Sequence, residues 1–268
     1  MANALGVLQA LIKQKHKEQD AQAFESRVIR ATTNAKFDKI RTHHDYNRLS
    51  GVDKTLFLEY LATMAQHKPR MLYSKKLFQG VGINDAPYQI TVALQGVRVK
   101  CPAYRTWEAM LERCYGTLVK QKHITYQGCY VVPEWHSFMR FRVWWLQHYK
   151  DGFQLDKDLL IAGNKVYSAD TCILIPQWLN LFTIASDATR GLLPLGVTYM
   201  KGRSKPYQAK CRAGTAGHKH LGYYATPEEA HQAWLSCKLS IVDTRSAELE
   251  AIRVGLTDKV KAKVLSLV

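Results

Sequence analysis

The chain has 268 residues and a mass of 30.6 kDa, enough for one large domain or two small ones with a hydrophobic core. Hydrophobic residues make up 47%, which excludes a wholly disordered chain. Lys and Arg number 38 against 22 Asp and Glu, a net charge of +16, and such an excess predicts an anionic partner, nucleic acid first.

Residues 1–70 read as a helical arm, with apolar residues at helical spacing through Ala4, Leu5, Leu8, Leu11 and Ile12, then Phe24, Val28 and Ile29, then Val52 to Met64. His43-His44-Asp45 falls between helical stretches. The arm holds 12 Lys or Arg and 7 Asp or Glu, and it is expected to bind DNA, dimerise or dock a protein partner. From residue 71 to 100 the pattern changes: Gly80, Gly82, Asn84-Asp85 and Pro87 mark turns. Tyr88 to Val99 reads as a hairpin turning near Ala93-Leu94-Gln95-Gly96. Helices are predicted at 104–115, with Trp107, Met110, Leu111 and Cys114 on one face, and at 134–149. In the second helix, Trp135, Phe138, Phe141, Trp144 and Trp145 form an aromatic stripe best read as core.

A strand at Phe153–Leu155 leads into Asp156-Lys157-Asp158 and a loop at Gly163-Asn164-Lys165. Cys172–Ile175 is a short buried strand, and Pro176 opens a helix holding Asn180. Residues 183–193 are a linker. Beyond it, 194–245 form a separate module with strands at 196–199, 207–212 and 220–224. Thr226-Pro227-Glu228-Glu229 then signals a helix start with a capping Thr, Pro at the first position and Glu at the third. Residues 246–268 are a helical tail.

Strand alternation puts Tyr207, Ala209 and Cys211 on one face, against Ala230, Ala233 and Trp234 of the helix. Gln208, Lys210 and Arg212 fall on the other face, near Arg203, Lys205 and Lys219, with His218 and His220 as weaker candidates. The module holds 8 Lys or Arg against 3 Asp or Glu. A β ribbon fits the DNA major groove, where Arg pairs with guanine. The strings Leu195-Gly196-Val197, Tyr207-Gln208-Ala209-Lys210, Leu221-Gly222-Tyr223-Tyr224 and Thr226-Pro227-Glu228-Glu229-Ala230 resemble the Apetala-two DNA-binding domain. That family includes plant ethylene-response factors and many phage proteins fused to HNH nuclease domains. The resemblance implies a three-stranded antiparallel sheet packed on one helix and lying in the major groove of double-stranded DNA.

Tyr104-Arg105-Thr106-Trp107 with Met110 to Tyr115, Tyr126 to Trp135 with Phe138, and Leu155-Asp156-Lys157-Asp158 with Gly163 to Ser168, Cys172 and Asn180 resemble phage HNH-type, homing-like endonucleases. This resemblance implies a ββα-metal core over 71–182 and an overall α+β fold. Asp156 and Asn180 would then hold Mg²⁺ or another divalent cation at a scissile phosphate. The position of the general base holds Lys157, not His, and an unperturbed lysine is a poor base at neutral pH. Lys157 could instead contact phosphate, and Asp158 could be the base. Thr171 stands where the family often has an orienting Asn. The rival is a non-catalytic DNA-binding or host-interaction protein on a degenerate nuclease core, with Asp156-Lys157-Asp158 as a surface charge cluster or an internal salt-bridge site and Asn180 as a packing residue of its helix.

Cys101, Cys114, Cys129 and Cys172 form no close CxxC pair, so buried free thiols are expected rather than structural zinc. There is no apolar run long enough to span a membrane, and the N-terminus runs from apolar to basic, the reverse of a secretory signal. A reduced, cytoplasmic location is expected, in the host cell if the chain is of phage origin.

Overall fold

The computed structural model describes residues 35–64, 77–184, 193–212 and 217–267. They form an α+β protein of helices and small sheets, in two compact units. One unit is formed by 35–64 with 86–102, the other by 77–85 with 103–267. The apolar periods expected around Ala4–Ile12 and Phe24–Ile29, and most of the expected linker, lie outside the described residues. No helix among the described residues is long and apolar enough to cross a membrane.

In the first unit, His43–Asn47 form helix α1 where the sequence pattern suggested a connection. The reason is a capping box: the Thr42 hydroxyl accepts the Asp45 N–H at 3.1 Å, and the Asp45 carboxylate accepts the Thr42 N–H at 3.0 Å. Helix α2, Gly51–Met64, buries Phe57, whose ring lies 5.6 Å from Phe37 and 5.9 Å from Tyr46. Strands β1, Thr91–Leu94, and β2, Val97–Lys100, pair antiparallel through a two-residue turn. Gln95 and Gly96 have φ of 51° and 79°, the doubly left-handed turn that matches the twist of a hairpin.

Helix α3, Pro102–Tyr115, lies in the second unit from Ala103 onward, with Trp107, Met110, Leu111 and Cys114 buried as their spacing predicts. Helix α4, Thr117–Lys122, and the two-residue strand β3, Tyr130–Val131, follow. The helix expected over 134–149 is divided into a 3₁₀ turn at Pro133–His136 and helix α5 at Phe138–His148. Ser137 breaks it. Its extended backbone starts α5, its hydroxyl accepts the Arg140 N–H, and the Asp85 carboxylate accepts both that hydroxyl's proton and the Met139 N–H. The aromatic stripe is core: Trp135, Phe138, Phe141 and Trp145 are buried, and the Trp107 indole donates to the Trp135 carbonyl at 2.8 Å.

Strand β4, Phe153–Asp156, pairs antiparallel with β6, Ile173–Pro176. Between them β5, Val166–Tyr167, pairs parallel with β3. Helix α6, Gln177–Phe182, follows β6 at once, so the chain makes a hairpin–helix unit.

Strands β7, Val197–Tyr199, β8, Tyr207–Arg212, and β9, His218–Tyr224, form an antiparallel sheet with β8 in the middle. Helix α7, Pro227–Thr244, begins with the predicted Thr226–Glu229 capping box and lays Ala230 and Trp234 on the sheet. Gly196 allows the close approach: a Cβ there would run into the Trp234 ring, and its φ is +78°. The end of α7 leaves the sheet. Val242 joins Leu249 of helix α8, Ser246–Ile252, and Leu256, Val260 and Val264 of helix α9, Leu256–Leu265. These residues pack with Leu159, Ile173, Ile175, Leu179 and Phe182 of the hairpin–helix unit in one hydrophobic core. The C-terminal helices are thus a buttress of the middle segment, not a free tail.

Candidate functional site

The outward face of the β7–β8–β9 sheet is the first candidate. In the sheet register Gln208 lies between Thr198 and Tyr223, Lys210 lies opposite His220, and Arg212 lies opposite His218. Ala209 and Cys211, on the alternate positions, are fully buried towards α7. Lys210, Arg212, His218 and His220 are exposed. Arg203, from the β7–β8 loop, sits with its guanidinium 4.1 Å above the Tyr223 ring; Lys205 is exposed in the same loop. Lys219 is exposed but stands opposite Cys211, in the row that faces the helix. Gln208 departs from its expected exposure. Only 6% of it is accessible, because Tyr223 and His220 close over its amide. No Asp or Glu occurs between Pro194 and Pro227, so nothing on these strands neutralises the cations.

The second candidate is the Asp156-Lys157-Asp158 bend at the end of β4. The Asp156 carboxylate accepts two backbone N–H groups through one oxygen, from Asp158 at 2.9 Å and Leu159 at 2.7 Å. Burial pushes its acidity towards higher pH, with the Asp158 charge adding to the effect and the two N–H groups opposing it. Lys157 is buried and donates to Asp158 at 3.0 Å. Burial works against its charge, but the Asp158 carboxylate outweighs burial and holds Lys157 above the ordinary lysine range. Asp158 also accepts from Lys263 of α9 at 3.2 Å. Burial opposes its ionisation too, and the two ammonium groups outweigh that and hold it below the usual carboxylate range. Asn164 fastens the loop by donating to the Lys157 and Val166 carbonyls, and Thr171 donates to the Val166 carbonyl.

Asn180, the other expected metal ligand, donates its amide to Gln154 at 2.7 Å. Gln154 precedes Asp156 by two residues on the same strand, a rise of about 7 Å. A divalent cation needs oxygen ligands converging within roughly 2.1 Å of one point. Here one Asp156 oxygen is engaged by backbone, the Asn180 amide nitrogen is held by Gln154, and two lysine ammonium groups pair with Asp158, while the second Asp156 oxygen and the Asn180 side-chain oxygen take no hydrogen bond among the described residues. The cation that the HNH resemblance implies would have to draw on those two remaining oxygens beside the Lys157 and Lys263 ammonium groups. Among the described residues no cluster of three or more His, Cys, Asp or Glu is placed to hold a metal.

Lys263 escapes sequence reasoning because it lies 105 residues from Asp158, and no local pattern announces the pair. Lys238 escapes it too: buried at the sheet end of the shared core, it donates to the Phe182 carbonyl at 2.6 Å and lies 3.6 Å from that ring's centroid. The four middle cysteines are buried, and burial pushes the Cys114 and Cys172 thiols up to about 12. No protein-family model, curated protein or solved structure matches the chain.

Proposed function

We propose that this protein binds double-stranded DNA through the outward face of the β7–β8–β9 sheet, with the 153–182 hairpin–helix unit serving as scaffold. The observation that carries the reading is the group of exposed cations, Lys210 and Arg212 on a sheet face that no described helix covers and Arg203 and Lys205 in its β7–β8 loop, in a stretch without one acidic residue. Like charges gathered on one strand and the loop before it repel, and an approaching polyanion relieves that repulsion while releasing its own counterions. A three-stranded ribbon of this size enters a major groove about 12 Å wide. The net charge of +16 supports the same partner class.

A metal-dependent endonuclease is the second reading. It is favoured by the order β4, β6, α6, with Asp156 ending the first strand and Asn180 on the helix. The internal bonds of Asp156, Lys157 and Asn180 weigh against it. One experiment separates the two. The full chain is mixed with supercoiled plasmid in Mg²⁺, Mn²⁺ or chelator, and with a labelled 25-base-pair duplex across a salt series. Retention of the duplex at low salt with intact plasmid is expected. Metal-dependent nicking abolished by Asp156→Ala would establish the nuclease reading instead, and failure to retain any duplex at low ionic strength would sink DNA binding altogether.

A further inference from the structure

Gln208 is a polar side chain in the middle strand of a sheet face that no described helix covers, yet it is more than nine-tenths buried. Its amide nitrogen lies 3.2 Å from His220 Nδ1 and 3.0 Å from the Tyr223 hydroxyl. Its amide oxygen is buried without a hydrogen-bond partner. The His220 and Tyr223 rings lie 4.9 Å apart, and Arg203 covers the other side of the tyrosine. These four side chains form one connected cluster at the centre of the face.

Hydrogen-bond accounting fixes the direction of each bond in the cluster. In the observed orientation both amide protons of Gln208 are used, one on His220 and one on Tyr223, and a single acceptor is orphaned. Turning the amide over would bury two protons with no acceptor, which is the worse arrangement. With the amide so placed, His220 Nδ1 must accept, so the neutral ring carries its proton on Nε2. The Tyr223 oxygen also accepts, which directs its own proton away from Gln208. The exposed ends of the cluster then offer three kinds of donor, His220 Nε2–H, Tyr223 O–H and the Arg203 guanidinium, and one remaining acceptor, the second lone pair of the Tyr223 oxygen.

We infer that Gln208 is a positioning residue that sets the polarity with which His220 and Tyr223 meet a base edge, and that the sheet centre selects an acceptor edge, the N7 and O6 of guanine, in the major groove. This rests on the DNA-binding reading and adds base discrimination to it. Adenine and cytosine present amino donors at the corresponding places, and those would face donors. Gln208 itself touches no DNA in this account, since its polar atoms are shielded by the rings they hold.

The test uses the full chain and a pool of randomised duplexes, sequenced after binding, for wild type, Gln208→Leu and His220→Ala. Ring ¹⁵N spectra of histidine-labelled protein read the His220 tautomer without DNA. Wild type is expected to enrich guanine at one or two positions and to show the Nε2–H form. Gln208→Leu is expected to keep its thermal unfolding midpoint, its binding to random duplex and its salt slope, while guanine discrimination falls by about tenfold, the worth of one good base contact. An unchanged motif in Gln208→Leu overturns the inference, as does a wild-type ring protonated on Nδ1. Equal weakening of all sequences in His220→Ala would make His220 a phosphate contact and overturn it as well. If wild type retains no duplex, the DNA reading fails first and base selection falls with it. A wild type that binds duplex but enriches no base leaves the DNA reading intact and overturns only this inference.

Discussion

Replacing Lys210 and Arg212 together by Ala should change how binding depends on salt more than it changes the fold. Both side chains are exposed on β8, one row apart on the same face, while the residues between and beside them that pack on α7 are untouched. Each phosphate neutralised by a cation contributes a slope of about 0.9 in log K against log salt on duplex DNA. Losing two contacts therefore flattens the slope by about 1.8. Working down from 1 M salt, where the counterion contribution vanishes, the double variant should bind about 9-fold more weakly than wild type at 0.3 M and about 60-fold more weakly at 0.1 M. Fluorescence anisotropy of a labelled duplex at five or six salt concentrations gives both lines. The lines should converge near 1 M. Parallel lines, with affinity reduced by one factor at every salt, would mean that these cations meet no phosphate; identical lines would remove the sheet face from the account.

Three further outcomes follow from the geometry. Burial raises the pKa of Asp156 above the ordinary 3.8, so ionising it costs the folded state stability as pH rises through the raised value, and that cost is in full force at pH 7. Asp156→Asn keeps an oxygen for the two N–H groups. It should unfold at equal or higher urea than wild type at pH 7 and lose that advantage at pH 3; a drop of more than about 1 kcal/mol at pH 7 would contradict the scaffold role. Burial pushes Lys238 down to about 8 from the ordinary 10.5, so folding releases its proton between those values and stability rises with pH across that window. Urea titrations of wild type and Lys238→Met should therefore diverge by about 3 kcal/mol in favour of wild type from pH 8 to 10.5, and a constant difference would refute the assignment. Leu249→Ala should lower the unfolding free energy by about 3 kcal/mol and weaken hydrogen-exchange protection of the β6 and β8 amides together. Loss at β6 with none at β8 would show that the sheet module does not share the core.

Some of this organisation is written locally. Alternation at 207–212 sends Ala209 and Cys211 inward and Lys210 and Arg212 outward, and the register agrees because the period of a strand is two wherever it packs. The Thr226 to Glu229 cap, the Gln95-Gly96 turn and the buried face of α3 are read from neighbouring residues for the same reason: the forces that make them act within one turn of chain. The break at Ser137 is not legible locally, since Trp135 and Phe138 carry one apolar period across it while the acceptor that stabilises the break, Asp85, lies far back in the chain.

Gln208 and the acidic bend belong to tertiary structure alone. Nothing next to Gln208 in sequence says that His220 and Tyr223 will close over it; that depends on how β9 pairs and on the irregularity beside Ala209 and Lys210. Asp156, Lys157 and Asp158 read equally well as a metal site or as a salt-bridge cluster until α9 delivers Lys263 to Asp158 and β4 offers Gln154 to Asn180. A carboxylate's chemistry is decided by what surrounds it, and its surroundings here come from segments tens of residues away that the hydrophobic core, not local pattern, brings together.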